Sequence, residues 1–352
     1  MAKSASATDI FSHGDADEPL LHGGDLSAAQ RQFPDAPEPF IDLSTGINPN
    51  SYPVPPLGSE LFARLPESEA VAGLAAAAAA YYSAPSAAHV VPAPGTQILL
   101  PLVAGLVRPG RAVILSPTYN EHARCAALAG HRVTETLDTA ALGEADLAIV
   151  TNPNSPDGRL LDRDTLLGIA AKLRLRSGLL VVDEAFMDVL PPSASVASEA
   201  VRNIVVLRSF GKFFGLAGVR LGFALLDPQL AARLSASLGP WAVSGPALAI
   251  GAAALADGPW IERTRHGLKE ATSRLDALFG RVGLEVIGGI ALFRLVRAQA
   301  ATALFHHLGH DGILVRRFPD NPAWLRFGLP GNEAAWTRLE NSLSRFRGSE
   351  KV

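Results

Sequence analysis

The chain has 352 residues, 48% hydrophobic and 18% charged, enough apolar material for a sizeable core and too much for wholesale disorder. A net charge of −3 excludes a general nucleic-acid or polybasic membrane surface, so an anionic ligand must be gathered by a local basic cluster. The single cysteine, Cys125, excludes an intrachain disulfide framework and fits a reducing cytoplasm.

In chain order, residues 1–20 are polar and acidic, without the apolar core of a signal peptide, and read as a flexible tail. The Pro- and Gly-rich stretch that follows, through Tyr52 and Pro53, suits an arm lying on another surface; a plain linker would look the same. Residues 67–82 are Ala-rich and predict a helix, whose alanine run is too short to span a bilayer. Gly95-Thr96-Gln97 then leads into a second helix over 98–107, and such a turn offers backbone N–H groups to an anion.

Apolar runs at 112–115, 147–151, 179–182 and 203–207 predict buried strands, extended by strands at 132–137 and 219–226. Helical segments at 120–129 and 163–177 alternate with them, which argues for an α/β domain with a mainly parallel sheet. Ligands of such sheets sit beyond the carboxyl ends of the strands, where Tyr119, residues 152–157, Asp183 and residues 209–212 should converge. From about residue 258 the pattern becomes a smaller α+β unit: a helix over 260–282, strands at 284–287, 290–296, 313–317 and 324–328, and helices at 300–308 and 332–346. The expected division is a tail (1–20), an arm belonging to the smaller domain (21–65), a large domain (66–257) and a C-terminal small domain (258–352).

Among candidate chemistries, metal catalysis has little support: His306, His307 and His310 lie on one helix with no carboxylate at ligand spacing. No Gly-x-Ser-x-Gly elbow and no Gly-x-Gly-x-x-Gly turn is present. Lys212 stands among Gly and Phe residues, three positions after Ser209 and eight before Arg220. A lysine in apolar surroundings resists charging and can form a Schiff base with a carbonyl, although a solvated loop lysine would also satisfy the local sequence. Asp183 ends an apolar strand; it could pair with a protonated ring nitrogen, or simply cap the turn that follows.

Together, Ser209-x-x-Lys212 with Arg220, the strand-end Asp183 and the Asn152-Pro-Asn-Ser-Pro-Asp-Gly158 turn resemble the pyridoxal-phosphate enzymes of the aspartate-aminotransferase fold. Within them the segments at His22-Gly23-Gly24-Asp25, 42–49, 92–97 and 183–186 look most like the threonine-phosphate decarboxylases of cobalamin biosynthesis, relatives of histidinol-phosphate aminotransferase. The resemblance implies pyridoxal 5'-phosphate as cofactor, Lys212 as its Schiff-base lysine, Asp183 as partner of the ring nitrogen and Tyr119 as the residue stacked on the ring. It gives the cofactor phosphate to Gly95, Thr96, Gln97, Ser209 and Arg220, with Tyr52 reaching it from the other subunit of a homodimer. Arg326 matches the arginine that anchors the substrate carboxylate. His22, Asn48 and Arg316 are candidates for the substrate's phosphate end, with Arg317 the alternative if the register shifts by one.

Two positions depart from the family pattern. Ser155 stands where the turn usually carries Asn, and Phe186 where a Tyr usually follows the Asp, so both usual donors to the ring hydroxyl oxygen are altered. Asn154 or a water is the expected substitute. The implied reaction is decarboxylation of L-threonine O-3-phosphate to (R)-1-amino-2-propanol O-2-phosphate, a building block of the cobalamin nucleotide loop. Histidinol-phosphate-type aminotransfer is the second reading, and a catalytically silent cofactor-binding homologue the third.

Overall fold

The structure, a computed structural model, describes residues 23–346. Its elements in chain order are α1 (Leu26–Gln32), β1 (Ile41–Asp42), α2 (Glu60–Ala63), α3 (Ser68–Tyr82), β2 (Val90–Ala93), α4 (Thr96–Ala104), β3 (Arg111–Leu115), α5 (Glu121–Leu128), β4 (Arg132–Thr136), β5 (Leu147–Thr151), α6 (Arg163–Arg174) and β6 (Leu179–Asp183). After these come β7 (Ile204–Ser209), α7 (Phe210–Phe213), β8 (Gly222–Leu225), α8 (Pro228–Leu238), α9 (Gly245–Ala256), α10 (Gly258–Val282), β9 (Glu285–Ile290), β10 (Phe293–Arg297), α11 (Ala301–His310), β11 (Ile313–Leu314), β12 (Arg316–Arg317), β13 (Trp324–Gly328) and α12 (Glu333–Arg345).

Seven strands form the main sheet in the order β2-β8-β7-β6-β5-β3-β4. The pairs from β7 through β4 are parallel, while β8 runs antiparallel to both of its neighbours. Every residue of β5, β6 and β7 is buried, as expected of strands covered by helices on both faces. One apolar cluster fills each side of the sheet: Leu180, Val182 and Val206 on one, Val181, Val205 and Leu207 on the other. Alternate residues of each strand therefore feed opposite layers.

A four-stranded antiparallel sheet, β12-β13-β10-β9, carries the C-terminal part of the cavity described below. The arm joins this half of the molecule: β1 pairs in parallel with β11, Ile41 opposite Ile313. It is also tied to the loop after β7. Asn48 N–H donates to Lys212 O at 2.9 Å, Tyr52 N–H to Phe214 O at 2.9 Å, and Ser51 Oγ to Gly215 O at 2.8 Å. Among the described residues no helix is long and apolar enough to cross a membrane. The expected tail, His22 and the last residues of the chain lie outside the described residues.

Candidate active site

A cavity of about 420 Å³ opens beyond the carboxyl ends of β5, β6 and β7. Lys212 enters it from α7, the short helix that continues β7. Its Nζ lies 3.5 Å from Thr45 O and 5.6 Å from the centre of the Phe186 ring. Burial, reinforced by the Arg326 guanidinium and only partly offset by Asp183 and Asp42, pushes the ammonium down to about 8. The sequence had left open a solvated lysine; the structure gives Lys212 the partly buried, cavity-facing position instead.

Asp183 closes β6 at the floor of the cavity, 6% exposed. Its Oδ1 accepts from Ala185 N–H at 3.0 Å, and its Oδ2 lies 3.0 Å from His122 Nε2. Thr151, opposite Asp183 in the β5–β6 register, has its Oγ1 3.3 Å from the same imidazole nitrogen. His122 is a member of the site that the sequence reading missed. The signal was available: it lies three residues after Tyr119, so the two share one face at the start of α5, and their rings meet edge-on at 5.9 Å.

An anion cradle forms where β2 turns into α4. Gly95 has φ +86°, and a Cβ there would come within 2.7 Å of Arg220 Nη2. A Cβ on Gly222 would lie 2.7 Å from the Thr96 nitrogen. Only glycines therefore let the Arg220 guanidinium and the first turn of α4 approach so closely. No side chain caps that helix start, so its leading N–H groups face the cavity beside Thr96, Gln97, Ser209 and Arg220. Tyr119 stands at the rim, its hydroxyl donating to Gln97 Oε1 at 3.0 Å and pushed up to about 12 by burial and by Glu121. The Gln97 amide in turn donates to Glu121 at 3.0 Å, leaving its backbone N–H for a ligand.

Across the cavity, β12 and β13 present two arginines. Arg316 and Arg326 are direct cross-strand partners and both line the cavity. Arg326 donates from Nη1 to Ser155 Oγ at 2.5 Å and from Nη2 to Ser44 O at 2.6 Å, while its buried Nε has no partner. Burial and the neighbouring Arg316 lower it to about 10. Arg317 is not among the residues lining the cavity; its guanidinium lies 4.1 Å from the Phe305 ring centre, so of the two adjacent arginines Arg316 is the one brought to the cavity.

Two expected contacts, Asn154 and Asn48, are not brought to the cavity, and Tyr52 was expected there only from a partner subunit. The Asn154 side chain is consumed by neighbouring chain: its amide donates to Pro117 O at 2.8 Å and Asp157 Oδ1 at 2.7 Å, and its oxygen accepts from Thr118 at 2.7 Å. Both amide protons are thus used within the chain, and Ser155 and Pro156 are the turn residues that line the cavity. Asn48 is buried and bonded elsewhere, donating to Phe213 O at 2.9 Å and accepting from Asn50 N–H at 2.9 Å. Tyr52 lies away from its own chain's cavity, edge-on to Trp260 at 5.1 Å, with burial and then Asp257 raising its hydroxyl.

The arrangement fits pyridoxal 5'-phosphate. A lysine of lowered basicity suits an aldehyde, a buried carboxylate at the cavity floor suits a protonated ring nitrogen, and the glycine cradle with Arg220 suits a phosphate.

The family model for class I and II aminotransferases matches residues 58–342. A threonine-phosphate decarboxylase of Pseudomonas aeruginosa is 42% identical over 93% of this chain and 98% of its own. A histidinol-phosphate aminotransferase of Ralstonia nicotianae is 31% identical over 93% of this chain and 95% of its own. Among solved structures, the histidinol-phosphate aminotransferase of Sinorhizobium meliloti in complex with pyridoxal-5'-phosphate superposes with a TM-score of 0.78 at 23% identity, covering 96% of this chain and 97% of that one.

Proposed function

Because this chain belongs to the class I and II aminotransferase family, we propose that it is a pyridoxal-phosphate-dependent decarboxylase acting on L-threonine O-3-phosphate. The observation that carries the reading is the cross-strand pair Arg316 and Arg326. Both guanidiniums line the cavity, and a phosphorylated amino acid brings two anionic ends, a carboxylate and a phosphate, to such a pair. The 42% identity to a threonine-phosphate decarboxylase, against 31% to a histidinol-phosphate aminotransferase, supports the choice of reaction.

Bound at Lys212, pyridoxal phosphate supplies an electron sink for the pair left on the substrate Cα. With a lysine near 8, roughly a tenth of the Nζ groups are neutral and nucleophilic at pH 7. Asp183, backed by His122, holds the negative charge that keeps the ring nitrogen protonated. Arg326 takes the substrate carboxylate, and Arg316, across the ladder, takes the phosphate. Holding both ends fixes the rotation about the Cα–N bond, and that rotation selects loss of carbon dioxide over loss of a proton. Lys212 then returns a proton to Cα, giving (R)-1-amino-2-propanol O-2-phosphate for cobalamin biosynthesis.

We also propose a homodimer in the cytoplasm, with the arm and residues 258–346 moving as one small domain against 66–257. Exposed Val54, Phe62 and Leu65 on the arm, and Trp241 beside the start of α9 on which α2 packs, support an apolar interface there. In such a dimer Tyr52 serves the partner's cofactor phosphate. Equilibrium sedimentation showing a fully active monomer at assay concentration would remove this.

The reaction is tested by incubating holoenzyme with threonine phosphate and scoring carbon dioxide and aminopropanol phosphate. Release of a keto acid, or turnover only with histidinol phosphate and 2-oxoglutarate, would make the chain an aminotransferase. A protein that takes up no pyridoxal phosphate would exclude both.

A further inference from the structure

Arg326 carries its charge into the cavity with no carboxylate paired to it among the described residues. What holds it is a backbone oxygen, Ser44 O at 2.6 Å, and a hydroxyl, Ser155 Oγ. Ser44 is itself 1% exposed and pinned three ways. Its N–H and its Oγ both donate to Asp42 Oδ1, at 2.8 and 2.6 Å, and its Oγ accepts from Gly24 N–H at 2.8 Å. Gly23 passes so close that a Cβ would lie 2.7 Å from Ser44 O, the same oxygen that receives Arg326. Asp42 is also the acid whose charge opposes the lowering of both Arg326 and Lys212.

We propose that Asp42 and Ser44 are a positioning pair for Arg326, fixing where the substrate carboxylate is held. The pair rests on the decarboxylase reading of the site and deepens it. Arg326 needs an anion at its unpartnered edge but must not be neutralised by the protein, because a direct carboxylate partner would compete with the substrate's own. Asp42 meets both demands at one remove. Its carboxylate fixes the Ser44 turn by two hydrogen bonds, and the turn's carbonyl, rather than the acid, meets the guanidinium. Gly23 and Gly24 belong to the same clasp, so the strand of chain arriving from the N-terminal side is seated by the residue that aims Arg326.

The test compares two ligands that differ only in the carboxylate. For the Ser44→Ala and Asp42→Ala holoenzymes the KM for threonine phosphate should rise about 5- to 10-fold, the loss of one or two hydrogen bonds. Inhibition by 1-amino-2-propanol 2-phosphate, which has no carboxylate, should stay within about twofold. Asp42→Asn keeps an oxygen acceptor for Ser44 and should recover most of the loss. The variants should also send a larger share of turnovers to keto acid, since a loosened carboxylate samples other rotations. Equal weakening of both ligands would reduce the pair to a structural clasp and overturn the proposal, as would unchanged constants. If wild-type holoenzyme releases no carbon dioxide, the reading of the reaction fails instead. Calorimetric affinities for the same two compounds then decide the pair alone.

Discussion

Arg316 and Arg326 face each other directly across the β12–β13 ladder, and both side chains line the same cavity. Like charges in that register repel, and under the proposed function the pair receives the carboxylate and the phosphate of the substrate. Truncating either arginine should therefore affect ligand binding more than folding. Arg326→Met should cost about 2–5 kcal/mol in kcat/KM, the range for removing one partner of a desolvated charge pair. Arg326→Lys should recover little, because an ammonium cannot reproduce the forked contact. Steady-state kinetics with threonine phosphate reads both. Loss of thermal stability without loss of kcat/KM would contradict the assignment.

Lys212 gives a prediction in pH. Its amine is lowered from 10.5 to about 8 in the folded protein, so between those values the unfolded chain binds more protons. Stability of the cofactor-free protein should therefore rise through this group as pH climbs from about 8 to 10.5. Below about 8 the burial penalty is fully present, on the order of 3 kcal/mol. Lys212→Met should accordingly be more stable than wild type at pH 7, with the gap closing towards pH 10.5. Urea unfolding across that interval measures it.

Gly95 is constrained twice, by φ +86° and by the Arg220 guanidinium 2.7 Å from where a Cβ would stand. Gly95→Ala should strain the turn by about 1–3 kcal/mol and displace Arg220 from the cradle. Cofactor affinity, followed by fluorescence during titration with pyridoxal phosphate, should fall at least about 10-fold, as expected when one charged contact is lost. Equal affinity would place the phosphate elsewhere.

His122 touches Asp183 at 3.0 Å and is itself 1% exposed. His122→Leu leaves a buried carboxylate short of one partner, and the resulting cost of about 1–3 kcal/mol should appear in kcat and in the pH dependence of cofactor absorbance. His122→Gln, which can still donate, should lie between the two. An unaltered spectrum and rate in both would remove His122 from the site.

Much of this arrangement was legible in the residues. The strand at 147–151 was bounded correctly and that at 179–182 to within one residue, because strands buried on both faces are written as unbroken apolar runs. Strand β2 escaped notice since Pro92 interrupts it, and it pairs only at the edge, antiparallel to β8. Helices α8 and α9 were missed too; α9 is apolar all round, so it carries no face for periodicity to detect. That Lys212, Asp183 and Arg326 meet at one cavity was legible from their places at strand ends and in the motifs. Asn48 and Asn154 are not among the cavity-lining residues; their amides bond backbone oxygens, a use that spacing along the chain does not reveal. The sequence named Arg316 with Arg317 as the alternative; that Arg316 shares a face with Arg326 is seen only in the strand pairing, because adjacent strand residues point to opposite faces.

The bonds from Asn48, Ser51 and Tyr52 to the backbone at Lys212–Gly215 join positions separated by 164 residues or more in the two side-chain contacts. β1 likewise waits for β11, and Ser44 for Arg326. Each is a contact between an early-synthesised segment and a late one, so the arm has nothing to grip until most of the polypeptide exists. An abortive chain ending before residue 313 would lack both the partner strand of β1 and the two cavity arginines. The cavity is thus assembled only in a chain that runs at least through Arg326, and a fragment ending before residue 313 leaves it without the β12–β13 wall.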